Sequence, residues 1–289
     1  MAIGNTDVSR ETVFSISEKI WTGQEYAQLE QALTGIDAGD FVSVHGAAGS
    51  LKSFIVAGIA RQASGCLLCV LPYAEDAAYL ASDLAEIAPE DNILLLPPSG
   101  DDPYDPERLP DSEQAIARND VLQAIISGVD AIVVASVEAL VEKTPSERTI
   151  IDSSLKLAVG MELPPSRIVE NLIELGFSRV DFVQEPGELA VRGGIVDIFP
   201  YAGSFPIRFE FFGDEIDSIR EFDPASQRSV SRLDEKLILP NLHDAEGGLE
   251  SILSIIPRDS RLVVFDESTI AGHAEPVLDR ATKHFEVAR

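Results

Sequence analysis

Short apolar runs punctuate the first half of the chain: FVSVHG from residue 41, CLLCVLP from 66, ILLLPP from 93 and AIVVAS from 131. Between them lie SFIVAGIARQA, DAAYLASDLAEIA and QAIARNDVLQAII, whose apolar residues recur at the three- and four-residue spacing of a helix that buries one face. Strands apolar on both faces suit a parallel sheet covered by helices on either side. Residues 1–150 are therefore expected to form an α/β domain of nucleotide-binding type.

From residue 151 the pattern changes. RIVENLIEL predicts a short helix that stops at Gly176, and SRVDFV, ELAVRGG, IVDIFP, PIRFEFF and IDSIREF then alternate with period two. Gly213-Asp214 has the composition of a tight hairpin turn between two of these strands. Residues 151–233 thus read as a smaller, mostly antiparallel α+β domain. EKLILP and RLVVFDES return to buried-strand patterning, which predicts that the small domain is an insertion and that residues 234–289 rejoin the first sheet.

Composition narrows the function. With 22 Lys and Arg against 49 Asp and Glu, a formal charge of -27, most of the surface opposes nucleic-acid phosphate, so any DNA contact must be local. The two cysteines, Cys66 and Cys69, would lie on opposite faces of a strand and read as packing residues. His45, His243, His273 and His284 are scattered without ligand spacing, so no metal site is expected. Trp21, between Ile20 and Tyr26, is expected to pack the amino-terminal segment onto the first domain. No membrane-length apolar run and no signal-peptide pattern is present, and a cytoplasmic location is expected.

One motif carries a damaged chemistry. The first expected strand leads into His45-Gly46-Ala47-Ala48-Gly49-Ser50-Leu51-Lys52-Ser53 and then an apolar helix. A working phosphate loop has Gly, four residues, then Gly-Lys-Ser/Thr, because backbone N–H groups wrap the phosphates while Lys and the hydroxyl reach phosphate and magnesium. Here Gly46, Gly49, Lys52 and Ser53 stand in place, but Leu51 replaces the second glycine. Its side chain obstructs close approach, and a positive φ at that position would cost a further ~1–2 kcal/mol. A second remnant is the apolar run Leu262 to Phe265 ending in Asp266 and Glu267, the way such ATPases present a magnesium-holding Asp and a water-activating Glu. With this loop degenerate and no second motor lobe within the 289 residues, the chain by itself is not expected to be an enzyme or to hold a cofactor.

The segment Gln184 to Pro200, QEPGELAVRGGIVDIFP, followed by Pro206 to Arg220, PIRFEFFGDEIDSIR, resembles the UvrA-binding domain of bacterial transcription-repair coupling factors. AIVVASVEAL from residue 131 and the eroded loop extend the resemblance over most of the chain. It implies a UvrB-type fold and a role in transcription-coupled nucleotide excision repair, in which this region recruits UvrA. ATP and magnesium would then serve the translocase of the full-length parent, and contacts to RNA polymerase and DNA would lie beyond residue 289. UvrB itself is the rival, a P-loop ATPase that loads on DNA. It keeps an intact phosphate loop and a Tyr-rich hairpin, whereas this chain has only Tyr104 in the polar stretch SGDDPYDPERLPDSE.

From Pro165 to Glu235 every cationic residue is Arg: Arg167, Arg179, Arg192, Arg208, Arg220, Arg228 and Arg232. Arg is the cation of protein interfaces, since its planar fork pairs carboxylates bidentately. Strand alternation puts Ile207, Phe209 and Phe211 on one face and Arg208, Glu210 and Phe212 on the other. An aromatic among charges on an outer face suits a binding hot spot, and the resemblance implies UvrA contacts at Arg192, Arg208 and Phe212. The plainer alternative is that Arg208 pairs with Glu210 or a cross-strand acid and that Phe212 covers a core edge.

Overall fold

The structure is a computed structural model that describes residues 5–34, 40–99, 112–242 and 249–276. Tyr104 with most of its polar stretch, His243 and His284 lie outside them. The architecture is mixed α/β, with one parallel sheet and smaller β-rich parts. Two compact units form: Met1–Leu96 with Val129–Ala139 and Pro257–Arg289, and Pro97–Gly128 with Leu140–Ile256.

In the first unit, β1 (Cys66–Leu71), β2 (Ile93–Leu96), β3 (Ala131–Ser136) and β14 (Arg261–Val264) form a parallel sheet in the order β14-β1-β3-β2. β1 and β3 are buried along their whole length, as runs apolar at every position require. Cys66 and Cys69 are free and buried, and burial pushes both thiols up. Helix α3 (Leu51–Ala60) contributes Val56, Ala57 and Ile59 to one cluster with Ala77, Leu80 and Leu84 of α4 (Ala74–Ile87) and with Leu67, Cys69, Ile132 and Val134 of the strands. Trp21, the last residue of α1 (Asn5–Trp21), donates its indole N–H to the Phe54 carbonyl at 2.8 Å and lies under the Arg61 guanidinium, packing the amino-terminal segment onto this unit.

The run FVSVHG departs from expectation. Residues 41–46 form no strand, and Phe41 is 87% exposed with Val42 and Val44 also open to solvent. The ladder beside β1 is taken by β14 on one side and β3 on the other, so the run has no place against β1.

The second unit centres on a six-stranded sheet, β11-β10-β9-β8-β7-β6, formed by β6 (Ser178–Arg179), β7 (Glu188–Arg192), β8 (Ile195–Phe199), β9 (Ile207–Phe212), β10 (Glu215–Phe222) and β11 (Ser229–Leu233). All its pairings are antiparallel except β6 with β7. Phe212 pairs with Glu215, so Gly213-Asp214 is the two-residue hairpin, with Gly213 at φ +67. Helix α8 (Pro165–Glu174) starts with Pro at its first turn, where the missing N–H costs nothing, and lays Ile168 and Leu172 on the sheet. There they meet Leu189, the alternate residues Val196 and Ile198 of β8 and Ile207 and Phe209 of β9, while a bulge between Ile216 and Ser218 brings Ile216 and Ile219 of β10 to the same face.

Two segments belong to this unit that the pattern assigned to the first domain. EKLILP becomes β12 (Glu235–Ile238), which pairs antiparallel with β5 (Leu155–Ala158) and buries Ile238 in the α8 core, so among the described residues only β14 returns to the first sheet. Helix α5 (Ser112–Ser127) is tied here by polar bonds: Asn119 donates to the Tyr201 carbonyl at 3.1 Å and Gln123 to that of Leu237 at 2.6 Å. Asp120 accepts the Gly203 N–H at 2.6 Å, and burial holds its carboxyl above the ordinary range.

The turn into β7 is closed by Gly187, at φ +86, whose N–H donates to the Phe199 carbonyl at 2.7 Å. A methyl group there would stand 2.7 Å from the ring of Tyr201, which is itself held by its hydroxyl on the Gly176 carbonyl. Gly187→Ala is therefore expected to destabilise the second unit by roughly 2–4 kcal/mol, backbone strain and overpacking together. A denaturant midpoint equal to that of the parent protein would contradict this.

Candidate partner-binding face

The face of the six-stranded sheet turned away from α8 carries the other half of each alternation. Registers place Asp197 of β8 between Ala190 of β7 and Arg208 of β9, and Arg208 opposite Arg220 of β10. One row along stand Arg192, Ile195, Glu210 and Ser218, and beyond them Phe212.

Asp197 is the centre of this face. It is 1% exposed, and its two carboxylate oxygens accept from Arg208 Nε at 2.7 Å and Nη2 at 2.9 Å, the bidentate fork that makes such pairs strong. Arg192 Nη2 bonds the same carboxylate. The Arg208 guanidinium also donates to Gln227 Oε1 at 2.9 Å and lies 4.5 Å over the ring of buried Phe222. Its pKa is raised, first by the hydrogen bond to Asp197. Arg192 stacks 5.0 Å over Phe182, an aromatic left 59% exposed. Glu210 is engaged separately, by Arg220 and by the Ser218 hydroxyl at 2.8 Å. Arg192, Arg208 and Arg220 thus meet Asp197 and Glu210, with Arg232 opposite Arg220, Glu215 opposite Phe212 and Glu188 opposite Phe199 on the same face.

Arg208 therefore pairs with a cross-strand acid, which is Asp197 and not Glu210. Phe212 covers no core edge: it is 81% exposed at the end of β9, while Phe209 and Phe211 take the core side. Asp197, Phe182 and Gln227 were not singled out from sequence. The signal for Asp197 was an acid inside IVDIF at the alternation shared with Arg192 and Arg208, and no local pattern marks the other two.

In the first unit the eroded loop and Asp266 do come together, lining one cavity of about 1090 Å³ with His45, Gly46, Lys52, Arg258 and Phe265. Gly46 and Gly49 adopt φ +86 and +55. Leu51 is the first residue of α3 and not among the positive-φ residues, so its effect is bulk without backbone strain. The groups a nucleotide needs are engaged elsewhere. The Leu51 and Lys52 N–H groups donate to Ala48 and Gly49 carbonyls at 3.3 Å, and the buried Ser53 hydroxyl donates to Asp83 at 2.7 Å. Lys52 lies 5.9 Å over the Phe265 ring. Asp266 accepts from Ser268 Oγ, Thr269 N and Thr269 Oγ1, capping a helix over residues 267–276 that begins at exposed Glu267. These bonds, those of Thr269 foremost, hold the Asp266 carboxyl below its ordinary range. The residues present do not fit a magnesium-bound triphosphate.

A β-sheet platform of this kind, with a helix on one face and an arginine-aromatic surface on the other, is an interaction module. Residues 155–243 match the family model of the UvrB interaction domain, which describes an interaction domain and not a catalytic module. Over a wider span the chain is homologous to transcription-repair-coupling factors: 31% identical to that of Bacillus subtilis over 65% of this chain and 16% of that protein, and 32% identical to that of Myxococcus xanthus over 75% and 18%. It is also 30% identical to the UvrABC system protein B of Syntrophotalea carbinolica, over 76% of this chain and 35% of that protein. The chain thus spans about a sixth of the coupling factors and a third of the B protein.

Titration calorimetry with Mg-ATP is expected to show no binding, and micromolar binding abolished by Lys52→Ala would overturn the account of the loop. At Asp266 the folded-state pKa is depressed, so the cap stabilises fully above the ordinary carboxylate range and is lost as pH falls through the lowered value. Asp266→Ala is expected to lower the melting temperature at neutral pH, while Asp266→Asn retains the cap and removes its acid dependence.

Proposed function

We propose that this chain is the UvrB-homology part of a transcription-repair coupling factor, with a UvrB-type fold whose second unit docks UvrA. The observation that carries the proposal is the set Arg192, Arg208 and Phe212 on the open face of the matched domain, a cationic pair held in place with an exposed aromatic further along the same face, at the end of β9. Such a face suits a partner that offers a carboxylate to the guanidiniums and an apolar pocket to the ring. The parent protein would be a cytoplasmic, ATP-driven DNA translocase that removes stalled RNA polymerase during transcription-coupled repair, with DNA and polymerase engaged by parts outside these residues. Among the described residues no helix is long and apolar enough to cross a membrane. The alternative, a UvrB-like ATPase that loads on DNA, draws on the similarity to UvrABC system protein B and is disfavoured by the engaged loop, Ser53 above all.

Binding of purified UvrA, measured together with thermal unfolding on the same variants, tests this. Arg192→Ala is expected to weaken UvrA binding by roughly 2–4 kcal/mol, because the partner acid is left desolvated. Phe212→Ala is expected to cost about 1–3 kcal/mol in binding with an unchanged melting temperature, its ring being exposed. Arg208→Ala should lose binding and also stability, since it removes the fork from a buried acid. Folded variants that all bind UvrA normally would refute the face.

A further inference from the structure

We infer that Asp197 is a positioning residue of this face, the buried carboxylate that holds Arg192 and Arg208 as a pre-formed pair for an acidic group on the partner. The inference rests on the docking role proposed above and adds a residue that never touches the partner.

Four observations lead there. Asp197 is closed off from solvent, so a docking protein cannot reach it directly. An ionised carboxylate is not left buried without partners, and three N–H donors from two arginines satisfy this one. Two guanidiniums brought to one place repel each other unless an anion lies between them, and Asp197 is that anion. Finally, the two arginines are held unequally. Arg208 is fixed by the fork, by Gln227 and by Phe222 beneath it, whereas the side chain of Arg192 is 38% exposed and rests on the exposed Phe182.

A division of labour follows from this inequality. Arg208 is the rigid member, and it keeps the anion in place. Arg192 is the outward member: one of its N–H groups bonds Asp197, and its exposure leaves the rest of the fork available to an incoming carboxylate. Without Asp197 both side chains would sample many rotamers, and docking would have to order them. With it, that ordering is complete before the encounter, which is how pre-organisation raises affinity.

The test uses the parent chain, Asp197→Asn, Arg192→Ala and the double variant, each measured for thermal unfolding and for affinity to purified UvrA. Asn keeps the shape of Asp and removes its charge. Asp197→Asn is expected to weaken binding by at least about tenfold while remaining folded, although it makes the face more cationic. In the double variant the affinity should match that of Arg192→Ala to within about twofold, because Asp197 acts through the arginine that meets the partner. A folded Asp197→Asn that binds as well as the parent or better, or losses that simply add, would overturn the inference. Should Asp197→Asn fail to fold, the Arg Nε–H signal of the free parent chain decides. A slowly exchanging Arg208 signal supports the clamp, and one averaged with solvent sinks it. If the parent chain does not bind UvrA at all, the docking role fails with whatever rests on it, and that result differs from a parent that binds and an Asp197 variant that binds equally.

Discussion

A sheet with one helix over it has a covered face and a more open one, here carrying only a small buried cluster of Val183, Ala190 and Phe222, and the second unit is organised by how it resolves that asymmetry. The covered face follows from alternation: Ile207, Phe209, Val196, Ile198 and Leu189 point to α8 and bury their apolar surface there. The open face cannot be apolar throughout without inviting aggregation, nor can it be charged at random, because the strands bring those charges within a few ångströms of each other. Asp197 solves both problems. Set in the middle of the sheet, it draws Arg192 and Arg208 over the strands, where their stems and the rings of Phe182 and Phe222 shield the backbone. The neighbouring pair of Arg220 and Glu210 extends the same arrangement toward the edge.

The first unit treats its loop differently. The loop precedes α3 without a strand before it, its glycines Gly46 and Gly49 adopt left-handed conformations, and several groups that a nucleotide would use have partners inside the fold. Ser53 serves Asp83, and Asp266 serves the start of a helix. Such bonds contribute stability only while no ligand competes for the same atoms. The buried strands β1 and β3 are held by their ladders and by apolar packing that these bonds do not touch.

Much of this was legible in the sequence where the signal is local. Period-two alternation located β7 through β10, the Gly213-Asp214 turn fixed the β9–β10 register, and helical spacing located α3, α4, α5 and α8. Non-local pairing was not legible. An apolar run states that a segment is buried, but not beside which neighbour. EKLILP was therefore given to the first sheet when it pairs with β5, and FVSVHG was expected to be a strand where β14 and β3 already flank β1. The site divides the same way. Alternation put Arg208 and Phe212 on the outer face, but the partner of Arg208 depended on the β8–β9 register, which no tight turn specifies because residues 200–206 connect the two strands.

Charge is the remaining step between geometry and partner. The chain carries -27 overall, so a polyanion such as duplex DNA meets repulsion across a span far wider than this face, and screening at physiological salt acts over only ~8 Å. A folded protein that offers a single acid within that distance would meet mainly the fixed donors of Arg192. The planar fork of a guanidinium then matches a carboxylate in direction as well as in sign, while Phe212 demands an apolar pocket at a set distance along the strand. A phosphate backbone presents charge at regular intervals and no such pocket. In the proposed docking the same few residues would attract a protein surface and discriminate against nucleic acid, and the acidic remainder of the chain would sharpen that discrimination.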